Sequence, residues 1–281
     1  MLIVHTAEEL QNSLKSKSAS LGLVPTMGAL HQGHLSLVSR AANENKKVVV
    51  SIYVNPTQFN RSKDLDNYPK DIDKDIDLLK PFEKQLILYV PSHSDLYPEG
   101  IKSKKFDFGS LTAHMEGASR PGHFNGVATI VEALLVNIRP TRAYFGEKDF
   151  QQLQVIRALN QKLDLGIEIV NCPLQRAENG LALSSRNALL TKEQKSEAAV
   201  IYQTLEYLNK SATDWSVGEM ELYFKSKVEA VKDFKVDYFS IASPSDLIPV
   251  SHLDSRKNYR IFVAVYAGKT RLIDTIELVR K

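Results

Sequence analysis

Leu23-Val24-Pro25-Thr26-Met27-Gly28-Ala29-Leu30-His31-Gln32-Gly33-His34-Leu35-Ser36-Leu37-Val38 runs from an apolar stretch through a glycine-punctuated loop into an amphipathic pattern. It reads as strand, loop, helix. Leu35, Val38 and Ala42 recur at i, i+3 and i+7, which gives the helix one apolar face. With the helix starting near Gly33, His31 and His34 both reach the space above its N-terminus. That space suits an anion, because the first turn leaves N–H groups unpaired and the helix dipole adds partial positive charge. A zinc site would call for further Cys, His or carboxylate ligands, and the chain has one cysteine, Cys172.

Outward from this stretch, residues 47–54 are a nearly continuous β-branched run, the mark of a strand covered on both faces. Asn55-Pro56 ends it, and Gln58 follows in the loop. Residues 64–79 read as a charge-rich helix and 85–91 as another buried strand. On the N-terminal side, Thr6-Ala7-Glu8-Glu9 has capping-box spacing for a helix through Leu10 and Leu14, and the first strand then runs to Val24. The period is lost over 97–108, and a Gly-rich polar loop, 115–126, precedes a helix over 127–138. A strand over 142–146 leads through Glu147 to Gln152 into a helix ending near Leu163, and 167–170 read as the last strand of the set. Alternating strands and helices with short loops imply an α/β fold with a doubly wound parallel sheet. Ligands bind such sheets outside the carboxyl ends of the strands, so residues 26–34, 55–58 and 146–152 are expected on one rim.

Beyond Arg176 the texture changes. Glu178 to Asn187 is polar and places Ser184, Ser185 and Arg186 side by side. Thr191-Lys192-Glu193-Gln194 again has capping-box spacing, here for a long helix to about Leu208. A helix over 217–234 and strands over 236–241, 260–266 and 272–274 follow, the last two joined by a turn at Gly268-Lys269. These describe a smaller C-terminal α+β domain, with the division placed at 1–176 and 177–281.

A length of 281 residues, 43% hydrophobic and 25% charged, is that of an ordinary globular protein. A net charge of +3 gives no footprint for nucleic acid or a membrane surface. The start Met1-Leu2-Ile3-Val4-His5 lacks the pattern of a signal peptide, and a single cysteine fits a reducing compartment, so a cytoplasmic protein is expected.

Two histidines, Lys148, Arg186 and a serine pair are the parts needed to hold a polyphosphate. Attack on the α-phosphate of ATP moves negative charge onto that phosphate and onto departing pyrophosphate, so fixed donors and cations lower the barrier. The chain has neither a Walker loop nor a Gly-x-Gly-x-x-Gly, which leaves the histidine loop as the phosphate reader. Asp71, Asp73, Asp75 and Asp77 alternate at period two inside a helical stretch; this spreads them round the helix and reads mainly as solvated surface, with one member near a magnesium ion as the alternative.

Five ordered motifs carry a resemblance. They are Val24-Pro25-Thr26-Met27-Gly28-x-Leu30-His31-x-Gly33-His34, Val54-Asn55-Pro56-x-Gln58-Phe59, Glu116 to Phe124, Phe145 to Gln152, and Leu181 to Asn187. Together they resemble those of the pantothenate synthetase family, the pantoate–β-alanine ligases of the nucleotidylyltransferase superfamily. The resemblance implies a Rossmann-like domain with a smaller C-terminal lid domain, a homodimer, and a ligase dependent on ATP and magnesium. It implies that pantoate and β-alanine are joined through a pantoyl adenylate. Carried onto this chain, His31, His34, Lys148 and Arg186 are catalytic. Pro25, Thr26, Met27, Gly28, Gly146, Lys148, Asp149, Ser184, Ser185 and Arg186 bind the nucleotide. Gln58 and Gln152 hold pantoate, with Met27 lining the site. Arg120 matches a motif position with no assigned role, and no magnesium ligand is assigned. The alternative is a nucleotidyltransferase of the same superfamily that leaves the nucleotidyl group on its product.

Overall fold

The computed structural model describes residues 1–15, 20–60, 62–212 and 214–279. Its helices are α1 (Ala7–Leu14), α2 (Gln32–Glu44), α3 (Ser62–Asp66), α4 (Ile72–Leu79), α5 (His93–Leu96), α6 (Glu116–Ser119), α7 (His123–Ile138), α8 (Phe150–Leu163), α9 (Lys192–Glu197), α10 (Ala199–Ser211) and α11 (Val217–Val228). By its contacts the chain forms two compact units. The first comprises Met1–Phe108, Arg120–Glu147 and Gln152–Pro173, and the second Gly109–Ser119, Lys148–Gln151 and Leu174–Lys281.

The first unit is built on strands β1 (Leu2–Val4), β2 (Leu21–Thr26), β3 (Lys47–Ile52), β4 (Leu86–Tyr89), β5 (Arg142–Gly146) and β6 (Glu168–Cys172). All pair in parallel in the order β1-β4-β3-β2-β5-β6. The β-branched run is β3, between β2 and β4, and Val48, Val49 and Val50 are buried on both faces. Burying each such side chain contributes about 1.5–3 kcal/mol, which is what sets this run at the sheet centre. Helix α2 buries Leu37, Val38 and Ala41 against β2 and β3, with Leu35 and Ala42 at the margins of the stripe. The apolar face is thus turned slightly from the one read through Leu35, Val38 and Ala42.

The parallel sheet agrees with the sequence reading, and the local differences have plain causes. The strand ending in the histidine loop is the second, not the first. Three-residue β1 pairs with the edge of β4 through Leu2, Ile3 and Val4, too short a segment to show a period. The expected helix over 64–79 is two helices, α3 and α4, parted around Pro69, which cannot donate a backbone hydrogen bond and restricts the residue before it.

The second unit has an antiparallel sheet of β7 (Phe234–Ala242), β8 (Tyr259–Ala267) and β9 (Thr270–Leu278) in that order. Gly268 takes φ 58° in the β8–β9 turn, as the Gly-Lys hairpin signal requires. Helices α10 and α11 cover one face, burying Leu205, Leu208, Met220 and Phe224 with Ile261, Val263 and Val265. The helix expected over 217–234 stops at Val228, and Phe234 already begins β7 after a turn in which Asp233 adopts φ 62°.

Residues 109–119 also belong to this unit. Gln151 accepts from Glu116 N–H at 3.0 Å and donates to the carbonyls of Leu111 and His114 at 2.9 Å each. Arg271 grips the Glu116 carboxylate with two bonds of 2.9 and 2.8 Å, and Tyr238 donates to it at 3.0 Å. Among the described residues no helix is long and apolar enough to cross a membrane.

Candidate active site

In the first unit the sheet changes winding direction beside β2: β3 lies on one side and β5, reached by a long crossover from β4, on the other. The carboxyl edge at such a switch is where open parallel sheets bind ligands. The histidine loop leaves β2 there, Asn55 to Gln58 leave β3, and Gly146 ends β5. Pro25 and Thr26 are the last residues of β2, and Met27 and Gly28 open the loop.

The loop's backbone is accounted for amide by amide. Thr26 Oγ1 donates to the Ser51 carbonyl at 2.8 Å and accepts from Gly28 N–H at 3.2 Å. Gly28 has φ 79° and Ala29 φ 49°, so the chain turns through the left-handed region at successive residues. Ala29 N–H and Leu30 N–H donate to the two carboxylate oxygens of Asp75, at 2.9 and 2.7 Å. His31 is the N-cap of α2, its Nδ1 accepting from Gly33 N–H at 3.1 Å, and its carbonyl accepts from His34 and Leu35. Because Nδ1 accepts, the proton of neutral His31 sits on Nε2. The His31 and His34 rings stand 4.1 Å apart between centroids, so the two imidazoles do converge at the helix start.

Gln58 is held from three directions. Its Oε1 accepts from Asn55 Nδ2 at 3.2 Å, and its Nε2 donates to Met27 Sδ at 2.8 Å. Its carbonyl accepts from His123 Nδ1 at 2.9 Å and from Arg120 Nη2 at 3.2 Å. Arg120 Nη1 also lies 3.1 Å from His123 Nε2, which makes that nitrogen the acceptor and places the imidazole proton on Nδ1. Asn55, 1% exposed, donates as well to the Gly126 carbonyl and accepts from Tyr97 and Thr57 hydroxyls. Helix α7 comes so close here that a Cβ on Gly126 would stand 2.3 Å from the Thr57 carbonyl oxygen. Gln152, half-buried on α8, belongs to this unit, whereas its neighbour Gln151 is buried and anchors residues 109–119. Gly146 is half-buried, and a Cβ there would meet no atom within 4 Å.

The second unit carries the cationic residues. Lys148 and Asp149 lie in the turn before α8, with Lys148 Nζ 3.5 Å from the Asp149 carboxylate. Ser184 caps the short turn Ser185–Leu189, its hydroxyl accepting from Arg186 N–H at 3.2 Å. The loop behind it is anchored by Arg176, which binds Asp274 through two bonds of 2.7 and 2.9 Å and donates to the Gly180 carbonyl at 3.0 Å. The Arg176 guanidinium also lies 3.7 Å from the centre of the Tyr202 ring. Burial pushes the Asp274 carboxyl above the usual carboxylate range, while Arg176, the Thr275 N–H and the charge of Lys148 pull it down.

The acidic run needs one correction. Asp71, Asp73 and Asp77 are exposed as expected, but Asp75 is 2% exposed and turned onto the histidine loop. Among the described residues no three His, Cys, Asp or Glu side chains stand together as a metal site. The residues without an assigned role that prove central are Asn55, Asp75, Arg120 and His123. Asn55, Arg120 and His123 lie inside the quoted motifs. For Asp75 the signal was its spacing four residues before the apolar Leu79, on the same helix face.

The family profile described as Pantoate-beta-alanine ligase matches residues 2–277. A pantothenate synthetase of Christiangramia forsetii is 45% identical over 265 residues, 94% of each chain. One of Flavobacterium psychrophilum is 42% identical over 99% of this chain and 100% of its own. The crystal structure of pantothenate synthetase from Thermus thermophilus superposes with TM-score 0.91 at 42% identity, covering 99% of both chains. A pantoate–β-alanine ligase from Francisella tularensis, solved with Beta-gamma ATP and β-alanine, gives TM-score 0.83 at 36% identity, covering 99% of this chain and 97% of that one. With a profile match over nearly the whole length and relatives above 40% identity end to end, the chain belongs to the pantoate–β-alanine ligase family.

Proposed function

We propose that the protein condenses pantoate with β-alanine in two steps driven by one ATP. A carboxylate oxygen of pantoate attacks the α-phosphorus of ATP. The bond to the oxygen bridging the β-phosphate breaks, and pyrophosphate leaves with that electron pair. The amine of β-alanine then attacks the acyl carbon of pantoyl adenylate, loses a proton and expels AMP, leaving the amide pantothenate.

The observation that carries this reading is the histidine loop at the switch point of the parallel sheet, in a chain whose whole length matches the ligase family. In this reading His31, through Nε2–H, and His34 donate to the phosphates as charge builds on them. Lys148, Ser184, Ser185 and Arg186 receive the triphosphate, since fixed donors cost no reorganisation when charge moves. Pro25 to Gly28, Gly146 and Asp149 lie on the nucleotide side. Gln58 and Gln152 hold pantoate beside Met27, neutral amides that orient its hydroxyls and carboxylate without a fixed charge competing for the nucleophile.

Magnesium is assigned no protein ligand; no three His, Cys, Asp or Glu side chains stand together as a metal site among the described residues. An ion carried on the triphosphate oxygens would supply charge neutralisation there. The enzyme is read as a cytoplasmic homodimer, which sedimentation velocity tests for the dimer. The nucleotidyltransferase alternative is less well supported, since relatives matching end to end are named pantothenate synthetases.

Incubation with ATP, magnesium and pantoate should release pyrophosphate, and added β-alanine should stimulate AMP release. AMP release indifferent to β-alanine overturns the ligase reading.

A further inference from the structure

Three consecutive backbone N–H groups, those of Gly28, Ala29 and Leu30, follow the end of β2 and donate to side chains. A buried backbone donor left unpaired is costly, so each needs an acceptor from elsewhere. Thr26 supplies one, and Asp75, 45 residues further along the chain from Leu30, supplies the other two. Asp75 is 2% exposed and sits inside α4, whose N-cap Asp71 is one turn earlier. The approach is close: a Cβ on Gly28 would stand 3.0 Å from Asp75 Oδ2 and 3.1 Å from Ile52 Cγ2. Glycine suits position 28 by its left-handed φ, and a Cβ there would need these two side chains to give by a few tenths of an ångström. Ala29, by contrast, holds a left-handed φ that L-residues with a Cβ seldom adopt.

We infer that Asp75 is a positioning residue for the reaction: its carboxylate, one oxygen on each of two successive N–H groups, holds Ala29 in its left-handed turn and thereby sets where His31 and His34 stand. The inference rests on the ligase reading for what the histidines do, but not for the clamp itself. The carboxylate gives each of the two N–H groups its own acceptor oxygen, and these two bonds oppose the burial that pushes the Asp75 carboxyl upward. An asparagine of the same shape keeps one acceptor and turns an NH2 group toward the second N–H, where two donors face each other. Asp75 belongs to no group of three or more His, Cys, Asp or Glu side chains that could hold a metal ion among the described residues, and the response to added metal separates this role from a ligand's. A shift of the loop by as little as an ångström is enough to lose about a hundredfold in rate when it carries groups that act on the reacting phosphate.

The test begins with the ligand-free wild-type enzyme. Hydrogen exchange followed by NMR should find the amides of Ala29 and Leu30 protected like those of β3. Exchange as fast as an exposed loop overturns the clamp, whatever the enzyme catalyses. In Asp75→Asn the same two amides should exchange about tenfold faster or more, while β3 keeps its protection. Pantoate-dependent pyrophosphate release at saturating ATP should fall about tenfold to a hundredfold in kcat, with smaller change in KM. Raising magnesium or adding manganese should restore nothing, and recovery with metal would overturn the clamp in favour of a ligand role. Ala29→Gly in the Asp75→Asn background should recover part of the lost kcat, because glycine adopts the left-handed turn without being held. Failure of that rescue together with unchanged protection in Asp75→Asn refutes the inference. Loss of β-alanine-dependent AMP release in wild type would instead refute the ligase reading and leave the exchange result standing.

Discussion

The histidine loop of the first unit and the serine loop of the second are both irregular backbone held by a buried carboxylate, but the two carboxylates work differently. Asp75 accepts directly from backbone N–H groups of the loop it holds. Asp274 holds a side chain, Arg176, which in turn donates to the Gly180 carbonyl and lies over Tyr202. The first arrangement fixes backbone angles next to the chemistry. The second fixes the root of a loop whose reactive end, Ser184 to Arg186, is shaped locally by the Ser184 cap. Removing a partner should therefore cost geometry in the first unit and stability in the second.

The largest effect is expected from the reactive groups themselves. His31→Ala and Lys148→Ala should each lower turnover by on the order of a hundredfold to a thousandfold, the size of losing one donor to a developing anion. They should part company in melting. His31 caps α2, so its replacement also loses about 1 kcal/mol of stability, whereas Lys148 caps nothing and its replacement should melt like wild type. Near-full activity in either variant would remove that residue from the site.

The anchors differ from the reactive groups in that their loss shows in stability. Asp274→Ala leaves Arg176 charged, with its side chain 18% exposed and its partner gone. Breaking such a buried pair costs about 3–5 kcal/mol, read as a fall in the denaturant midpoint. Replacing both partners, Arg176→Met with Asp274→Leu, should recover much of the loss, because no charge is then stranded. If the single and double variants are equally unstable, the pair is not what anchors the loop.

The smallest effects come from glycines that look alike in sequence. A Cβ at Gly126 would press on the Thr57 carbonyl at 2.3 Å, and one at Gly117 on the Thr112 carbonyl at 2.0 Å, whereas Gly146 has open space. In the helix α7, alanine for glycine gains about 1 kcal/mol in propensity, but a backbone atom cannot swing aside and the clash, about 1–3 kcal/mol, should win. Gly126→Ala and Gly117→Ala should lower the melting temperature, and Gly146→Ala should leave it alone. Equal melting of all three would mean that the close approaches relax in solution.

Much of the fold was legible because its central strands are buried on both faces, and a β-branched run such as Val48 to Val50 has few other places to go. Capping boxes at Thr6 and Thr191 likewise marked helix starts that the structure has, since their signal is local. Strand β1 was not legible, because three residues carry no period and its pairing with β4 spans the unit. The motifs of the candidate site stood out in sequence, but not the supports beneath them. Asp75 was hidden by its exposed neighbours Asp73 and Asp77, and only the helix face shared with Leu79 tells it apart. Gln151 and Gln152 are indistinguishable as residues, and three hydrogen bonds to residues 111–116 make the first a brace.

That brace has a bearing on how the protein is made. Residues 109–119 emerge from the ribosome long before the strands they serve: the partner of Glu116, Arg271, follows 155 residues later. The chain passes from one unit to the other at 108, 119, 147, 151 and 173. Vectorial synthesis can complete the parallel sheet with Cys172, but the second unit must wait for Arg271 in β9 before its early segment is gripped. A nascent chain stalled midway would therefore expose the 109–119 segment, and a fragment cut near Pro173 would carry a piece of the other unit with nothing to fold against.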